Sequence, residues 1–411
     1  MQLNTIRLRL CLVVLGTVLL LGTSALAETV EPAEKLMRRF FGVNLHLSNC
    51  CGGRYTDLED VAAKLNYIGA RQLRDWASRQ PELLDKWQQV HRSTGAPFYA
   101  SIPSASPEAQ RVALQVMREW LDEAPGLISA IEGGNEEDMP YAVKLGATLE
   151  DTAELQHEVY AAGSAAGVPV VQMSVGAGWK APFWEGNYKN FGQPPADLGN
   201  AHVYMNPGEY PTSALQRIGK LAAWSVPDKK VAVTEFGFYQ TPQQSDDLTS
   251  AFMHLAPFSS YLLGHASFFV YALHDDISGV VGFYDREGEP RAFAHYWHHT
   301  TQLLRDDAAK GQDLLPKELD IRFTAQKQAG QRKNSIKNIP LYKTDGSLWI
   351  VMFDEQKPGA PAGEQMVELD KTYPSLTLYD GRSGKVLRQE KAAQRITVTL
   401  PPNHLLLLKA E

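Results

Sequence analysis

LISAIEGGNEED, residues 127–138, places an apolar run, two glycines and a crowd of acids in one short stretch. Leu127 to Ile131 read as a buried strand, because a short apolar run bounded by glycine fits a strand with both faces covered. Asn135, Glu136, Glu137 and Asp138 then fall just past the strand's carboxyl end. Whether a carboxylate there does chemistry depends on what surrounds the strand.

Working outward, the same unit repeats from about Phe40 to Leu304. The strand candidates are FFGVNLH (40–46), ARQLRDW (70–76), APFYASI (96–102), LISAIEG (127–133), VPVVQMS (168–174), DLGNAHVY (197–204), KVAVTEF (230–236) and HASFFVY (265–271). Amphipathic stretches lie between them, among them 57–69, 108–121, 149–163 and 213–224. In 57–69, Leu58, Val61, Ala62, Leu65 and Ile68 recur at helical spacing and Gly69 stops the run. Eight strand–helix alternations over this length predict a (β/α)₈ TIM barrel. A doubly wound sheet usually has fewer strands and often a Gly-rich fingerprint after the first. Here the first strand runs into HLSNCCGGRY (46–55), which lacks that pattern.

Past Leu304 the character changes. RDDAAKGQD (305–313) is a polar connector. SLWIVMF (347–353), SLTLYDGRSGKVL (375–387) and QRITVTLPPNHLLLLK (394–409) are β-rich runs punctuated by turn dipeptides. They predict a small antiparallel β-sandwich over 313–411, with the barrel over 28–312. The sandwich has a single tryptophan, Trp349, and reads as a stabilising domain.

Residues 1–27 read as a cleavable signal peptide. Arg7 and Arg9 precede the 13-residue apolar run Leu10–Gly22, and Ala25-Leu26-Ala27 supplies small residues for cleavage. The run is too short to span a bilayer comfortably. A secreted or periplasmic location follows as an expectation. The 411-residue chain has 40 basic and 47 acidic residues, a net charge of −7. The leader carries two arginines and no acid, so the mature charge is −9. That argues against nucleic acid and anionic membrane as partners. Two cysteines remain after the leader, Cys50 and Cys51, adjacent in sequence and too few to staple a domain of this size.

Barrel enzymes carry their working groups at the carboxyl ends of strands. That rule ranks Glu136 after the fourth strand, Glu235 ending the seventh, and Asp275 and Asp276 after the eighth. Two carboxylates facing each other across a barrel mouth can cleave a glycosidic bond, one as proton donor and the other as nucleophile. Asn135-Glu136 and the Glu235 of VTEFG resemble clan A of the glycoside hydrolases, the 4/7 superfamily of retaining barrel enzymes. GVNLH, LRDW and AHVY fit the same pattern. The resemblance covers about 40–304 and implies a poly- or oligosaccharide substrate and no cofactor. It implies Glu136 as acid/base, Glu235 as nucleophile and Asn135 as a contact to a sugar hydroxyl. It further implies that Arg74 keeps the nucleophile ionised and that Tyr204 donates to it, with His202 on the same strand face. Where the clan often has a tryptophan platform, this chain has Tyr271.

Other residues carry two readings. His46 either lines a sugar subsite or caps the barrel. Trp76, Trp179, Trp184, Tyr239 and Tyr271 either stack on sugar rings or pack. Glu132 reads as an interior acid paired with a cation such as Arg74, and Glu137 and Asp138 as rim or helix-cap acids. His295, His298 and His299 have metal-compatible spacing, but 290–304 reads better as a closing amphipathic helix, so no metal is expected. The alternative for the whole chain is a non-catalytic carbohydrate-binding protein on a degenerate barrel. Oligomeric state is not legible in the sequence.

Overall fold

A computed structural model describes residues 27–48, 53–146, 148–176, 192–239, 245–276, 279–326 and 331–411. The leader (apart from Ala27), Cys50, Cys51, Trp179 and Trp184 lie outside the described residues.

The chain opens with β1 (Glu28–Pro32) and α1 (Ala33–Phe40). Eight strands then form one parallel sheet: β2 (Gly42–Asn44), β3 (Gln72–Trp76), β4 (Phe98–Ile102), β5 (Ile128–Gly134), β6 (Val170–Val171), β7 (Gly199–Met205), β8 (Val231–Phe238) and β9 (Ser267–Val270). All eight lie where the alternation places them. The first pairs with the last, β2 with β9. The remaining seam is joined by the parallel bridge Val171–Leu198 and by hydrogen bonds from Asp197 N to Val170 O (2.8 Å) and Gln172 N to Leu198 O (2.9 Å). The result is a TIM-type barrel.

Helices α2 (Leu58–Ile68), α3 (Leu83–Thr94), α4 (Pro107–Glu123), α5 (Pro140–Lys144), α6 (Leu149–Ala166), α7 (Pro211–Ser225), α8 (Asp246–Leu262) and α9 (Ala292–Leu304) lie between and after the strands. Their ends follow local chemistry. The Asp57 carboxylate caps the amides of Glu59 and Asp60 at the start of α2, and Gly69 ends that helix at φ 74°, a conformation only glycine adopts without cost. Ser106 and Pro107 start α4, and Thr148 caps α6.

Seven strands follow the barrel: β10 (Lys317–Leu319), β11 (Arg322–Gln326), β12 (Ile336–Tyr342), β13 (Leu348–Asp354), β14 (Gly363–Asp380), β15 (Val386–Leu400) and β16 (Leu405–Ala410). The expected sandwich is one continuous, curled sheet. Strand β14 makes the fold-over possible: its first half pairs with β11 and its second half with β16, while β15 runs along its other edge. Strand β1 pairs with β10 and β12, and Val30 is buried in the second core, so Glu28–Pro32 belongs to the C-terminal sheet rather than to the barrel.

Strand β13 shows why SLWIVMF is apolar throughout. Leu348, Ile350 and Met352 face the C-terminal domain's own core, whereas Trp349, Val351 and Phe353 join the barrel core. Two-sided burial turns an alternating pattern into a continuous one. Phe353 meets Phe258 of α8, and the buried Glu355 accepts from Thr212 Oγ1 (2.8 Å) and Ser259 Oγ (2.7 Å) across the seam.

Candidate active site

The barrel interior is layered. Tyr99, Ala130, Val171, Ala232 and Phe269 form an apolar layer. Two residues further along their strands come Ser101, Glu132 and Thr234, all buried. Arg74 runs through this polar layer and organises it. Its Nε and Nη2 donate to Glu132 (2.6 and 2.7 Å), Nη1 donates to Asn44 Oδ1 (2.7 Å) and Glu235 Oε1 (2.8 Å), and Nη2 also reaches Asn135 Oδ1 (2.8 Å). The expected Arg74–Glu132 pair is therefore present, as a two-pronged ion pair with both groups out of solvent. Burial alone would lower the Arg74 pKa; Glu132 and then Glu235 reverse this and hold the guanidinium charged.

Glu235 owes its position to a β-bulge. Ala201 pairs with Val233 but His202 pairs with Glu235, and Val233 pairs with Phe268 while Phe236 pairs with Val270. The extra residue in β8 changes the alternation after Thr234. Thr234 donates to the buried Asn200 Oδ1, and the next residue, Glu235, reaches Arg74 inside the barrel as well. Tyr204 OH donates to Glu235 Oε2 at 2.5 Å. Burial pushes the Glu235 carboxyl above its ordinary value, His202 and Arg74 pull it down, and the Glu136 charge pushes it up again.

Glu136 sits beyond the end of β5 with φ 51°, an uncommon backbone state for a non-glycine residue. Its amide donates to Ser174 Oγ (3.0 Å), which ties the turn to the neighbouring strand end. Its carboxylate lies 2.8 Å from His202 Nδ1, and that same nitrogen is 3.4 Å from Glu235 Oε2. Burial would lower the His202 pKa, but Glu235 and Glu136 outweigh burial and raise it. Donor atoms of Glu136, His202 and Glu235 all lie within 4.8 Å of one another. Such a trio could also gather a divalent cation.

The remaining site residues sort clearly. Trp76, His46, Tyr271, Tyr204 and Tyr239 form an aromatic arc along the mouth, with ring centroids 5.2 Å apart for His46–Trp76, 5.3 Å for His46–Tyr271 and 5.2 Å for Tyr204–Tyr239. Tyr271 OH donates to Asp276 (2.7 Å). Trp179, expected in the same wall, falls in the undescribed stretch 177–191. Asp275 is a loop fastener, bonded to Arg291 and to the amide of Gly282. Glu137 is not on the rim. It is 3% exposed and accepts from Gln110, and burial pushes its carboxyl up to about 8. His295 and His298 engage Tyr67 on α2, His298 by stacking at 4.1 Å. They serve the packing of α9, as expected of a closing helix.

His46 lies within the aromatic arc, between Trp76 and Tyr271, and is 3% exposed. Both ring nitrogens are buried without a hydrogen-bond partner, and burial lowers its pKa to about 4. A histidine depressed in the fold protonates first in the unfolded chain, so its contribution is intact above about 6.5 and is lost as pH falls towards 4. Between those limits the wild type should lose ~3 kcal/mol more than His46→Phe. Urea unfolding at both pH values checks this. Equal losses in the two proteins would contradict it.

An eight-stranded parallel barrel with an inward-facing pair of glutamates over its carboxyl ends is the class that fold and site define. No family model matches the chain, and no curated protein matches it. Solved structures do. A family 39 glycoside hydrolase from the gut symbiont Bacteroides cellulosilyticus WH2 superposes with TM-score 0.60 at 13% identity, over 92% of this chain and 82% of that one. A family 39 β-xylosidase from Caulobacter crescentus gives 0.56 at 11% over 94% and 98%, and SrfJ from Salmonella typhimurium 0.51 at 12% over 94% and 90%. At such identities the likeness is one of fold, and it extends over both domains.

Proposed function

We propose that the protein is a secreted retaining glycoside hydrolase acting on a poly- or oligosaccharide, with Glu136 as acid/base and Glu235 as nucleophile. One observation carries the reading: oxygen atoms of the two carboxylates lie within 4.8 Å of each other. Retaining enzymes hold their carboxyl groups about 5–5.5 Å apart, whereas inverting ones leave about 6.5–9.5 Å for a water. A non-catalytic binder would have no need of this closeness. The glycoside hydrolase names of the structural neighbours support the same class.

In this mechanism Glu136 protonates the departing glycosidic oxygen while Glu235 attacks the anomeric carbon. Arg74 and Tyr204 hold one oxygen each of Glu235, which fixes the attacking carboxylate in direction. Once Glu136 is protonated, its charge no longer raises the pKa of Glu235, so each group favours the other's role. His202 Nδ1 lies between them, 2.8 Å from Glu136 Oε1 and 3.4 Å from Glu235 Oε2. Asn135, braced by Arg74, is in reach to bond the hydroxyl beside the reacting carbon. The aromatic arc offers flat faces to sugar C–H groups. Water then attacks the glycosyl-enzyme with Glu136 as base, and the product keeps the substrate's anomeric configuration.

The test is a panel of aryl glycosides and oligosaccharides with the first-formed anomer read by NMR. Retention is expected. Inverted product would remove Glu235 from the role of nucleophile.

A further inference from the structure

The amino-terminal face of the barrel, opposite the acid pair, holds two adjoining clefts of about 230 and 340 Å³. They meet at Glu34 and Arg38 of α1. Arg71, just before β3, and Lys310, in the connector after α9, complete the walls of the larger one. The lining is cationic in a chain whose net charge is −7. Arg39, in the other cleft, is already committed to the carbonyls of Ala266 and His265.

Glu34 is 4% exposed, yet its Oε2 has no hydrogen-bond partner. Arg71 Nε is likewise buried and unbonded. The two side chains approach only to 3.8 Å, too far for a hydrogen bond. Gln72 Oε1, in the adjoining cleft, is a second buried acceptor without a partner. Buried polar atoms are almost always satisfied, so orphans of both signs along two clefts that meet at Glu34 and Arg38 point to a group that bridges them.

The orphans specify what that group carries. Lys310 is already paired with Asp307 (3.0 Å), so Arg71 and the neighbouring Arg38 are the cations that call for negative charge, whereas Glu34 Oε2 and Gln72 Oε1 call for donors. An inorganic anion would leave the two acceptors bare, and a neutral sugar would leave the cations bare. We propose that this basal crevice binds a small hydroxylated anion, a sugar acid or a sugar phosphate. Its negative group lies on Arg71 and Arg38, and its hydroxyls donate to Glu34 and Gln72. The proposal does not depend on the glycosidase reading.

Calorimetric titration of the protein with glucuronate, glucose 6-phosphate, glucose and inorganic phosphate tests it. Saturable binding of glucuronate, glucose 6-phosphate or both is expected, and which of them binds tells carboxylate from phosphate. Glucose and phosphate should bind at least about tenfold more weakly. Arg38→Glu, at an exposed position, should weaken the anion at least about tenfold, whereas Glu235→Gln, which alters the acid pocket, should not. Absence of saturable binding by both anions overturns the proposal. So does undiminished affinity in Arg38→Glu, or inorganic phosphate binding as tightly as the sugar anions.

Discussion

Glu235→Gln is expected to lower kcat by ~10⁴-fold or more with the fold intact, because the step it removes has no substitute in the pocket. The change is nearly isosteric. Arg74 keeps its two bonds to Glu132 and the polar layer stays neutralised. Glu136→Gln should behave differently. On substrates with ordinary sugar leaving groups, kcat should fall ~10²–10⁴-fold, the range of a lost general acid. On aryl glycosides whose leaving group departs without a proton, the first step survives and the second slows. A burst of aryl alcohol equal to the enzyme should then precede slow turnover. Wild-type turnover in either variant ends the assignment of the pair.

Arg74→Met is expected to cost ~3–5 kcal/mol of stability as well as activity, because it leaves the Glu132 and Glu235 carboxylates buried without their shared cation. Both acids lie almost wholly out of solvent. In calorimetry the melting temperature should fall on the order of 10 °C. Arg74→Lys keeps the charge but not the planar fork that reaches Glu132, Asn44, Glu235 and Asn135 at once, so it should fall between the two. Adding Glu132→Gln to Arg74→Met should restore part of the loss, since one stranded charge is gone. A variant that melts with the wild type would mean that Arg74 does not hold the polar layer together.

The barrel was legible because its evidence is local and repeated. Each strand announces itself by an apolar run, each helix by its spacing and its stop, and eight repetitions leave little choice of architecture. Glu136 and Glu235 stood out for the same reason, as acids at the ends of runs such as LISAIEG and KVAVTEF. Glu137 misled because one position in a run of acids looks like the next; only the turn at Glu136 sends its neighbour under Gln110. The first strand's membership of the far sheet was equally hidden, since a pairing nearly three hundred residues away leaves no mark on ETVEP. The basal orphans were invisible too, because Glu34 and Arg71 are ordinary charges until folding brings them together.

By itself the sequence determined the eight barrel strands, the antiparallel sheet domain that follows them and the two acids worth ranking, because these depend on short-range patterning. Only the tertiary structure decided that Glu235 shares the pocket. A single extra residue in β8 re-aims that side chain, and no spacing rule reveals it. The same holds for the convergence on Arg74 and for the His202 contact to both carboxylates, which exist only once strands distant in the chain close into a ring.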